Sequence, residues 1–348
     1  MEQPKMNYPL FFVTLAISIT LPITGLLYAV HFEYNFLKSY GSEFANNYVQ
    51  DDNRQLDAYE DFNFNDFDNN SNKPFNFAAV GDFGCSGKAK ETAANIASKE
   101  PELVLTLGDL SYNHTAACWF NVMSALKHKI MITFGYHDSN NKTMMDLYLR
   151  TFEMDKPYHS FDYKRVHFLV MASEFPFDKG SEQYNFVKRD LQEASDSKDI
   201  NWIIVSTYGP LYTSPTTHKA YALLRDLYHP LFDKYEVDLV LQAHNHNYQR
   251  TYPITFNPDN GSIPVIRDNS QSRFIEYDGT IFSTVGTGGK SIHAFHGQYP
   301  YIATQFNRFG FLNVEIDNSN SNATLSGTFF DNKGNMIRDY FTIIKEIK

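Results

Sequence analysis

The feature that most constrains this chain is a series of short, continuous apolar runs after residue 74, separated by stretches with helical periodicity. The runs occupy residues 75–80, 103–107, 130–134, 202–206 and 238–242. Continuous apolar runs are typical of strands buried on both faces of a layered sheet, so the sequence predicts an α/β fold. The other predicted elements are helices near 88–98, 117–127, 181–195 and 217–234 and strands near 158–163, 166–172, 281–285, 309–316 and 325–330.

Polar side chains stand just past the ends of these strands. Asp82 and Asp109 each belong to a Gly-Asp pair, His137 follows the third run, and His244 and His246 follow the fifth. In α/β sheets, ligands bind in the crevice outside the carboxyl ends of the strands. Carboxylates and imidazoles that converge there can hold metal ions through oxygen and nitrogen donors. A single Gly-Asp pair is a common turn, but four such loops in order favour a site.

Charge and cysteine content exclude several classes of protein. The 348 residues include 30 Lys and Arg against 40 Asp and Glu, a formal net charge of −10, without a basic run. A nucleic-acid partner is not expected, because phosphate contacts need clustered cations. The two cysteines, Cys85 and Cys118, exclude a Cys-rich metal site or a disulfide-rich scaffold. A bond between these two cysteines stays open.

The first 30 residues differ from the rest of the chain. Residues 9–30 carry no charged side chain. About 20 apolar residues suffice to cross a bilayer as a helix, and the run exceeds the ~7–15 residues of a typical signal-peptide core. We therefore favour an uncleaved membrane anchor over residues 1–30, with a cleaved signal peptide as the alternative. Either one places the remaining chain outside the cytoplasm, membrane-anchored or secreted.

Residues 31–74 have the composition of a linker. Carboxylates and Asn dominate between residues 51 and 73, and such a segment buries too little apolar surface to offset its ordering entropy. Residues 75–348 then form the folded catalytic domain. Asn-x-Ser/Thr sequons fit a glycosylated surface outside the cytoplasm. They lie at Asn69, Asn113, Asn141, Asn260 and Asn322.

Five short motifs, one after each strand end, carry a specific resemblance. They are Gly-Asp-Phe-Gly (81–84), Gly-Asp-Leu-Ser-Tyr (108–112), Gly-Tyr-His-Asp (135–138), Val-Ser-Thr-Tyr (205–208) and Ala-His-Asn-His (243–246). The set resembles the metal-binding blocks of the plant-type purple acid phosphatases, within the calcineurin-like metallophosphoesterases. The resemblance implies a sandwich of two mixed β-sheets flanked by helices. It also implies a two-metal centre that hydrolyses phosphomonoesters with a metal-bound hydroxide.

The resemblance implies a ligand set for each metal. The first site, for Fe³⁺, takes Asp82, the bridging Asp109, the phenolate of Tyr112 and His246. Hard anionic donors suit a trivalent ion, which generates a nucleophile from water. The second site, for a divalent Zn, Mn or Fe ion, takes Asp109 and His244 together with an Asn and a His.

The sequence departs from the family pattern at this second site. Tyr136 stands where the family has the Asn, and Tyr208 stands where it has the His. A neutral phenol with a pKa of ~10 is a poor ligand for a divalent ion, so we expect the second metal to be weak or absent. In one interpretation the two phenols fill the vacated volume and hydrogen-bond each other or Asp109. In another, unrecognised ligands hold the ion.

The two phosphate-contacting histidines of the family are retained. His137 keeps its position, and His218 lies ten residues after Tyr208, at the family spacing. As the catalytic pair, they stabilise developing charge or protonate the leaving alkoxide. The competing interpretation is that His218 merely begins the surface helix near 217–234. The predicted function is a phosphatase acting on a phosphate ester. The alternative is a catalytically degenerate, membrane-anchored binding or scaffold protein.

Overall fold

The computed structural model describes residues 73–113, 115–319 and 321–347. The expected anchor (1–30), nearly all of the linker (31–74) and the sequon at Asn69 lie outside these residues. Within the described part of the chain, no helix is both long and apolar enough to span a bilayer.

The described chain begins with alternating strands and helices and ends in antiparallel strands. The strands are β1 (Phe75–Val80), β2 (Leu103–Leu107), β3 (Ile130–Thr133), β4 (His159–Tyr163), β5 (Val166–Val170), β6 (Trp202–Ser206), β7 (Leu239–Gln242), β8 (Tyr248–Thr251), β9 (Ile254–Thr255), β10 (Val265–Ile266), β11 (Arg273–Ile275), β12 (Ile281–Val285), β13 (Ile302–Phe306), β14 (Gly310–Asp317), β15 (Asn322–Asp331) and β16 (Ile337–Glu346). The helices are α1 (Gly87–Ala97), α2 (Ala117–Met123), α3 (Tyr136–Ser139), α4 (Lys142–Thr151), α5 (Glu182–Asp196) and α6 (Ala222–Lys234), with a 3₁₀ helix at Ser124–Lys129.

Two mixed sheets form the predicted sandwich. The first has the order β11-β16-β15-β14-β1-β2-β3 and the second the order β13-β8-β12-β7-β6-β5-β4, while β9 and β10 form a separate pair. Side chains from both sheets meet in the core. The ring of Phe77 on β1 packs edge-on against Phe168 on β5, with centroids 5.4 Å apart. The rings of Tyr248 on β8 and Phe329 on β15 lie 4.6 Å apart. These contacts confirm the α/β sandwich.

Burial explains the two kinds of strand in the sequence. All residues of β2, β6 and β7 are buried, so these central strands are apolar throughout. In β15, buried residues alternate with more exposed ones, because one face of this antiparallel strand is only partly covered. The parallel arrangement of β1, β2 and β3 and of β5, β6 and β7 directs their carboxyl ends to one edge.

The main correction to the predicted helices concerns the segment before α6. The helix expected near 217–234 begins only at Ala222. The backbone N–H of His218 donates to the side chain of Asn245 at 2.9 Å, and the N–H of Tyr221 donates to the carbonyl of Pro210 at 2.8 Å. These bonds hold residues 211–221 as a loop against the strand ends. The interpretation of His218 as the first residue of a helix is therefore wrong.

Candidate active site

The loops after β1, β2, β3, β6 and β7 meet at one edge of the sandwich. Backbone hydrogen bonds join neighbouring loops: the N–H of Asp82 donates to Gly108 (3.0 Å), and the N–H of Ala243 donates to Tyr208 (3.1 Å). A cavity of about 550 Å³ opens between these loops. It is lined by Asp109, Tyr112, Tyr136, His137, Tyr208, His218, His244, His246 and Lys290. Asp82 is fully buried beneath this cavity, in contact with Tyr112.

The backbone of this site is held in an uncommon conformation. Asp82, Asp109, Tyr112 and His244 have φ angles of 57°, 52°, 58° and 69°, in the left-handed region that non-glycine residues rarely adopt. Each such residue costs ~1–3 kcal/mol and persists where the surrounding structure enforces it, often at functional sites. Gly135 shows how tightly the loops pack, because a Cβ there would lie 2.4 Å from the backbone nitrogen of Asp109.

Asp82, Tyr112 and His246 form the first cluster of donor atoms. The Tyr112 hydroxyl lies 2.8 Å from Asp82 Oδ1 and 2.9 Å from His246 Nε2, and Nε2 lies 3.4 Å from Asp82 Oδ1. His246 Nδ1 donates to the carbonyl of Ser291 at 2.6 Å, which turns Nε2 toward the carboxylate. A metal-ligating histidine is commonly oriented by such a bond. Asp82 Oδ2 is buried and has no hydrogen-bond partner among the described residues.

Tyr208 forms the centre of the second cluster. Its hydroxyl donates to Asp109 Oδ2 at 2.7 Å and lies 2.6 Å from His244 Nδ1. The other oxygen of Asp109 accepts from the backbone N–H of His137 at 2.8 Å. The phenol thus lies between the two family ligands that remain at the second position. Of the two interpretations left open by the sequence, this contact matches the one in which a phenol hydrogen-bonds Asp109.

Tyr136 does not share this arrangement. Its side chain is 50% exposed, and its hydroxyl lies 3.5 Å from the amide nitrogen of Asn140. The expectation that both phenols fill the vacated volume is therefore wrong for Tyr136. Tyr136 is the first residue of α3, directly after the extended Gly135, and it is among the residues that line the cavity.

Burial and like charges control protonation at the strand ends. Burial, together with the charges of Asp82 and Asp138, raises the pKa of Asp109 to about 8. Burial alone would also raise the pKa of Asp82, but the charge and hydrogen bond of His246 outweigh it and lower that pKa. Burial and the neighbouring carboxylates raise the pKa of the Tyr112 and Tyr208 phenols far above their ordinary value. Without a cation, both phenols therefore stay protonated.

The two clusters differ in how well they fit a metal ion. At the first, an unpaired buried carboxylate oxygen, a phenol and an oriented imidazole provide donors that suit a hard trivalent ion. At the second, both oxygens of Asp109 and one nitrogen of His244 already have partners. In the described chain, no group of three or more His, Cys, Asp or Glu side chains is arranged to hold a metal. In each cluster a tyrosine hydroxyl instead contacts both the carboxylate and the imidazole.

Four imidazoles line the cavity, those of His137, His218, His244 and His246. His218 stacks on His244 with ring centroids 3.9 Å apart, and the ring of His137 lies 4.4 Å from that of Tyr112. Both retained histidines therefore line the cavity. Burial lowers the pKa of His137 and of His218. Burial and the charges of His218 and His246 lower the pKa of His244 to about 4.

Two residues of the site were not predicted from the sequence. Lys290 lies with Nζ 4.4 Å from the ring centroid of Tyr112, and His293 stacks on His246 with centroids 3.8 Å apart. His293 Nδ1 also accepts from the backbone N–H of His246 at 3.1 Å. Both follow the glycine turn at residues 285–289 that comes after β12. That turn is visible in the sequence, but no strand-end acid or histidine marks the residues beyond it.

Cys85 and Cys118 form a disulfide, with Cα atoms 5.8 Å apart. The bond links the loop after β1 to the start of α2. It therefore connects two segments that flank Asp82 and Tyr112. The sequence left this pairing open, and the structure decides it because the loop after β1 and the start of α2 meet only in the folded chain.

The sequence profile of the calcineurin-like phosphoesterase family matches residues 75–248. The chain therefore belongs to the calcineurin-like phosphoesterases. Within that family it is similar to the purple acid phosphatases. Purple acid phosphatase 15 of Arabidopsis thaliana is 27% identical over 223 residues, which cover 52% of this chain and 42% of the relative. The chain spans about half the length of the curated relatives that it matches.

Two solved structures share the fold. The purple acid phosphatase from yellow lupin (Lupinus luteus) seeds superposes with a TM-score of 0.70 at 20% identity, covering 79% of this chain and 54% of the lupin chain. GAP50, the anchor in the inner membrane complex of Plasmodium, superposes with a TM-score of 0.60 at 17% identity, covering 79% of this chain and 89% of its own. At these identities the likeness establishes the fold alone.

Proposed function

We propose that this protein is a phosphomonoesterase of the purple-acid-phosphatase type with one firmly held metal ion. The observation that carries the proposal is the first cluster, where Tyr112 and His246 converge on Asp82 and leave Asp82 Oδ2 without a partner. Asp82, Tyr112 and His246 would hold the ion, with Asp109 beside them. Bound there, Fe³⁺ supplies the Lewis acidity that activates water near neutral or acid pH.

The side chains around the cavity then bind and orient the phosphate ester. His137 and Lys290 lie on the Tyr112 side, and His218 lies on the His244 side. Hydrogen-bond donors on both sides of an anion, together with the Lys290 ammonium on one side, hold it in one orientation and stabilise charge that develops in the transition state. His218 in its protonated form gives its proton to the leaving alkoxide.

The second metal position is impaired in this proposal. The Tyr208 hydroxyl bridges Asp109 and His244, so a divalent ion would have to displace a phenol that burial and neighbouring carboxylates keep protonated. The expected consequence is a slow enzyme, since the interactions that a second ion contributes to a phosphoryl-transfer transition state are missing.

Tyr208 also supports a second candidate function, that of a catalytically degenerate binding or scaffold protein. A pocket that keeps an anion-binding rim but has one metal position closed can retain ligands without turning them over. The fold likeness to GAP50, which is described as a membrane-complex anchor, makes this the relevant competitor. The two functions differ in whether phosphate esters are hydrolysed.

Metal analysis combined with a p-nitrophenyl phosphate assay on the full chain tests the proposal. We expect about one tightly held metal per chain and hydrolysis that Asp82→Asn abolishes, because that variant weakens the ion's main anionic ligand. Asp199→Asn, an exposed carboxylate after α5, is the matched control and should behave as the wild type. A protein that binds no metal and hydrolyses nothing would favour the scaffold function. Two tight metals would contradict the single-site version.

We further propose that residues 1–30 anchor the protein and that the domain from about residue 75 lies outside the cytoplasm. The Cys85–Cys118 disulfide supports this location, because such bonds persist in oxidising compartments. Protease treatment of intact cells tests it. The domain should be digested without lysis, and protection until lysis would count against the assignment.

A further inference from the structure

We propose that a groove beside the cavity is the subsite for the alcohol part of the substrate, and that it takes a planar aromatic group. This inference rests on the proposed phosphomonoesterase function. The groove has a volume of about 890 Å³. It is lined by residues 213–216, 218–220, 225, 262–264, 266 and 299–301. His218 lines both the groove and the cavity, so the two spaces are adjacent across one side chain.

The position of His218 determines what the groove receives. If His218 protonates the leaving oxygen, the substituent on that oxygen lies beyond the imidazole, on the groove side. The transferred phosphate stays on the side of His137 and Lys290. A volume of 890 Å³ is within the ~300–1,000 Å³ of typical small-molecule sites, far more than a methyl or glyceryl group would fill.

The groove wall exposes apolar side chains. Ile263, Ile266 and Tyr299 have exposed fractions of 60%, 37% and 45%, and Pro215, Pro264 and Pro300 line the same groove. Clustered exposed apolar side chains commonly mark a binding surface. One proline in each of these three segments, with its fixed φ, also limits how far the groove wall can change shape.

Tyr299 provides a flat, fixed surface in this wall. Its ring stacks on Tyr301, with centroids 5.4 Å apart and planes 27° apart. Tyr301 is 6% exposed, and its hydroxyl donates to the carbonyl of Thr213 at 3.3 Å. The backbone N–H of His296 donates to the carbonyl of Pro215 at 2.8 Å, which connects the segment just before Tyr299 to the loop of His218. A preorganised ring loses little entropy on stacking, and offset stacking of two rings is favourable beyond buried area.

Charge further defines the ligand. Among the described residues, no carboxylate lines the groove, although the chain has a net charge of −10. Lys219 is exposed on its rim, and Arg225 lies on its wall with Nε 2.8 Å from Asp226 Oδ1. This environment does not repel an electron-rich ring joined to a phosphate. We therefore assign the groove to aromatic phosphomonoesters.

Binding of two non-hydrolysable phosphonates, measured by calorimetry on the full chain, tests the assignment. We expect 1-naphthylphosphonate to bind ~10-fold more tightly than methylphosphonate, the gain from one stacked and buried ring system. Tyr299→Ala should remove most of that ratio. Tyr340→Ala is the matched control, since Tyr340 is 50% exposed on β16, and it should keep the ratio. Ile263→Ala should lower the ratio ~3-fold, while Ile337→Ala, of similar exposure, should not.

The outcomes distinguish failure of the aromatic subsite from failure of the proposed phosphomonoesterase function. If the wild type binds both phosphonates equally well, or if Tyr299→Ala keeps the ratio, the aromatic subsite is refuted and the phosphomonoesterase proposal stands. If Tyr340→Ala lowers the ratio as much as Tyr299→Ala, the effect is not specific to the groove and the assignment also fails. If neither phosphonate binds, the anion cavity itself is refuted, and the proposed function fails with the subsite.

Discussion

Replacing Tyr136 by Asn and Tyr208 by His would restore the family's side chains at the second metal position. Asp109 and His244 are already there, and the Tyr208 hydroxyl lies between them at 2.7 and 2.6 Å. Since Tyr136 is half-exposed, it does not block this space. Tyr208→His alone should therefore open the position, and Tyr136→Asn should add a further ligand.

The expected energies follow from the contacts of Tyr208, which is 1% exposed. Tyr208→Phe leaves Asp109 and His244 without a buried hydrogen bond, at a cost of ~1–3 kcal/mol, or roughly 2–4 °C in Tm per kcal/mol. The smaller His of the double variant leaves unfilled volume and adds about 1–2 kcal/mol to that cost. A divalent ion at a free concentration of about 100 times its Kd would then stabilise the double variant by about 2.7 kcal/mol.

Thermal unfolding with and without Zn²⁺ or Mn²⁺, metal analysis and p-nitrophenyl phosphate hydrolysis together measure these effects. The double variant should gain one metal per chain, rise in Tm with added metal and hydrolyse ~10²–10³-fold faster, as several kcal/mol of transition-state stabilisation implies. Removing His218 should depress the restored rate. Tyr208→Phe is the control, because it vacates the hydroxyl position without supplying a ligand.

Two results would refute this reasoning. A wild-type protein that already binds two metals tightly would show that Tyr208 does not close the second position. A double variant that folds, yet gains neither metal nor activity, would show that the cavity has diverged beyond its ligands. The scaffold function would then be the better description.

Three further predictions concern metal, pH and the disulfide. If the bound ion is Fe³⁺, Tyr112→Phe should abolish a phenolate-to-iron absorption band and lower the metal content of the purified protein. Burial opposes protonation of His167, but hydrogen bonds to Asp162 and Asp190 outweigh it and raise its pKa to about 9. Because the pKa is raised in the folded state, the stabilisation by protonated His167 is complete below pH ~6.5 and is lost as the pH rises through about 9. Urea unfolding over this range should show the free energy of unfolding fall by about 1–2 kcal/mol, a modest figure because Asp162 is largely exposed. His167→Gln should remove this pH dependence. Replacing Cys85 and Cys118 by Ser, which opens a loop of sequence separation 33, should cost about 3–4 kcal/mol of unfolding free energy by chain entropy, and unchanged denaturant midpoints would argue against the bond.

The sequence pattern by itself determined the layered α/β fold and predicted that several acids and histidines meet at the strand ends, whereas the two-sheet sandwich was implied by the family resemblance. Strands β1, β6 and β12 occupy the predicted residues, because strands covered on both faces leave an unbroken apolar signal. The acids and histidines were recognisable since each follows such a strand, and parallel strands bring their carboxyl ends to one edge. The identity of Tyr208 as a departure from the family pattern was also visible in the sequence.

Tertiary structure decided what those residues do to one another. Only the meeting of the β2, β6 and β7 loops shows that the Tyr208 hydroxyl bridges Asp109 and His244, whereas Tyr136 remains half-exposed. The loop that holds His218 was expected to be helical from its local periodicity. That periodicity contains no information on the hydrogen bond to Asn245, 27 residues away, which holds the loop in place. The positions of Lys290, His293 and the disulfide are likewise set by long-range packing, which side-chain patterns within one segment do not encode.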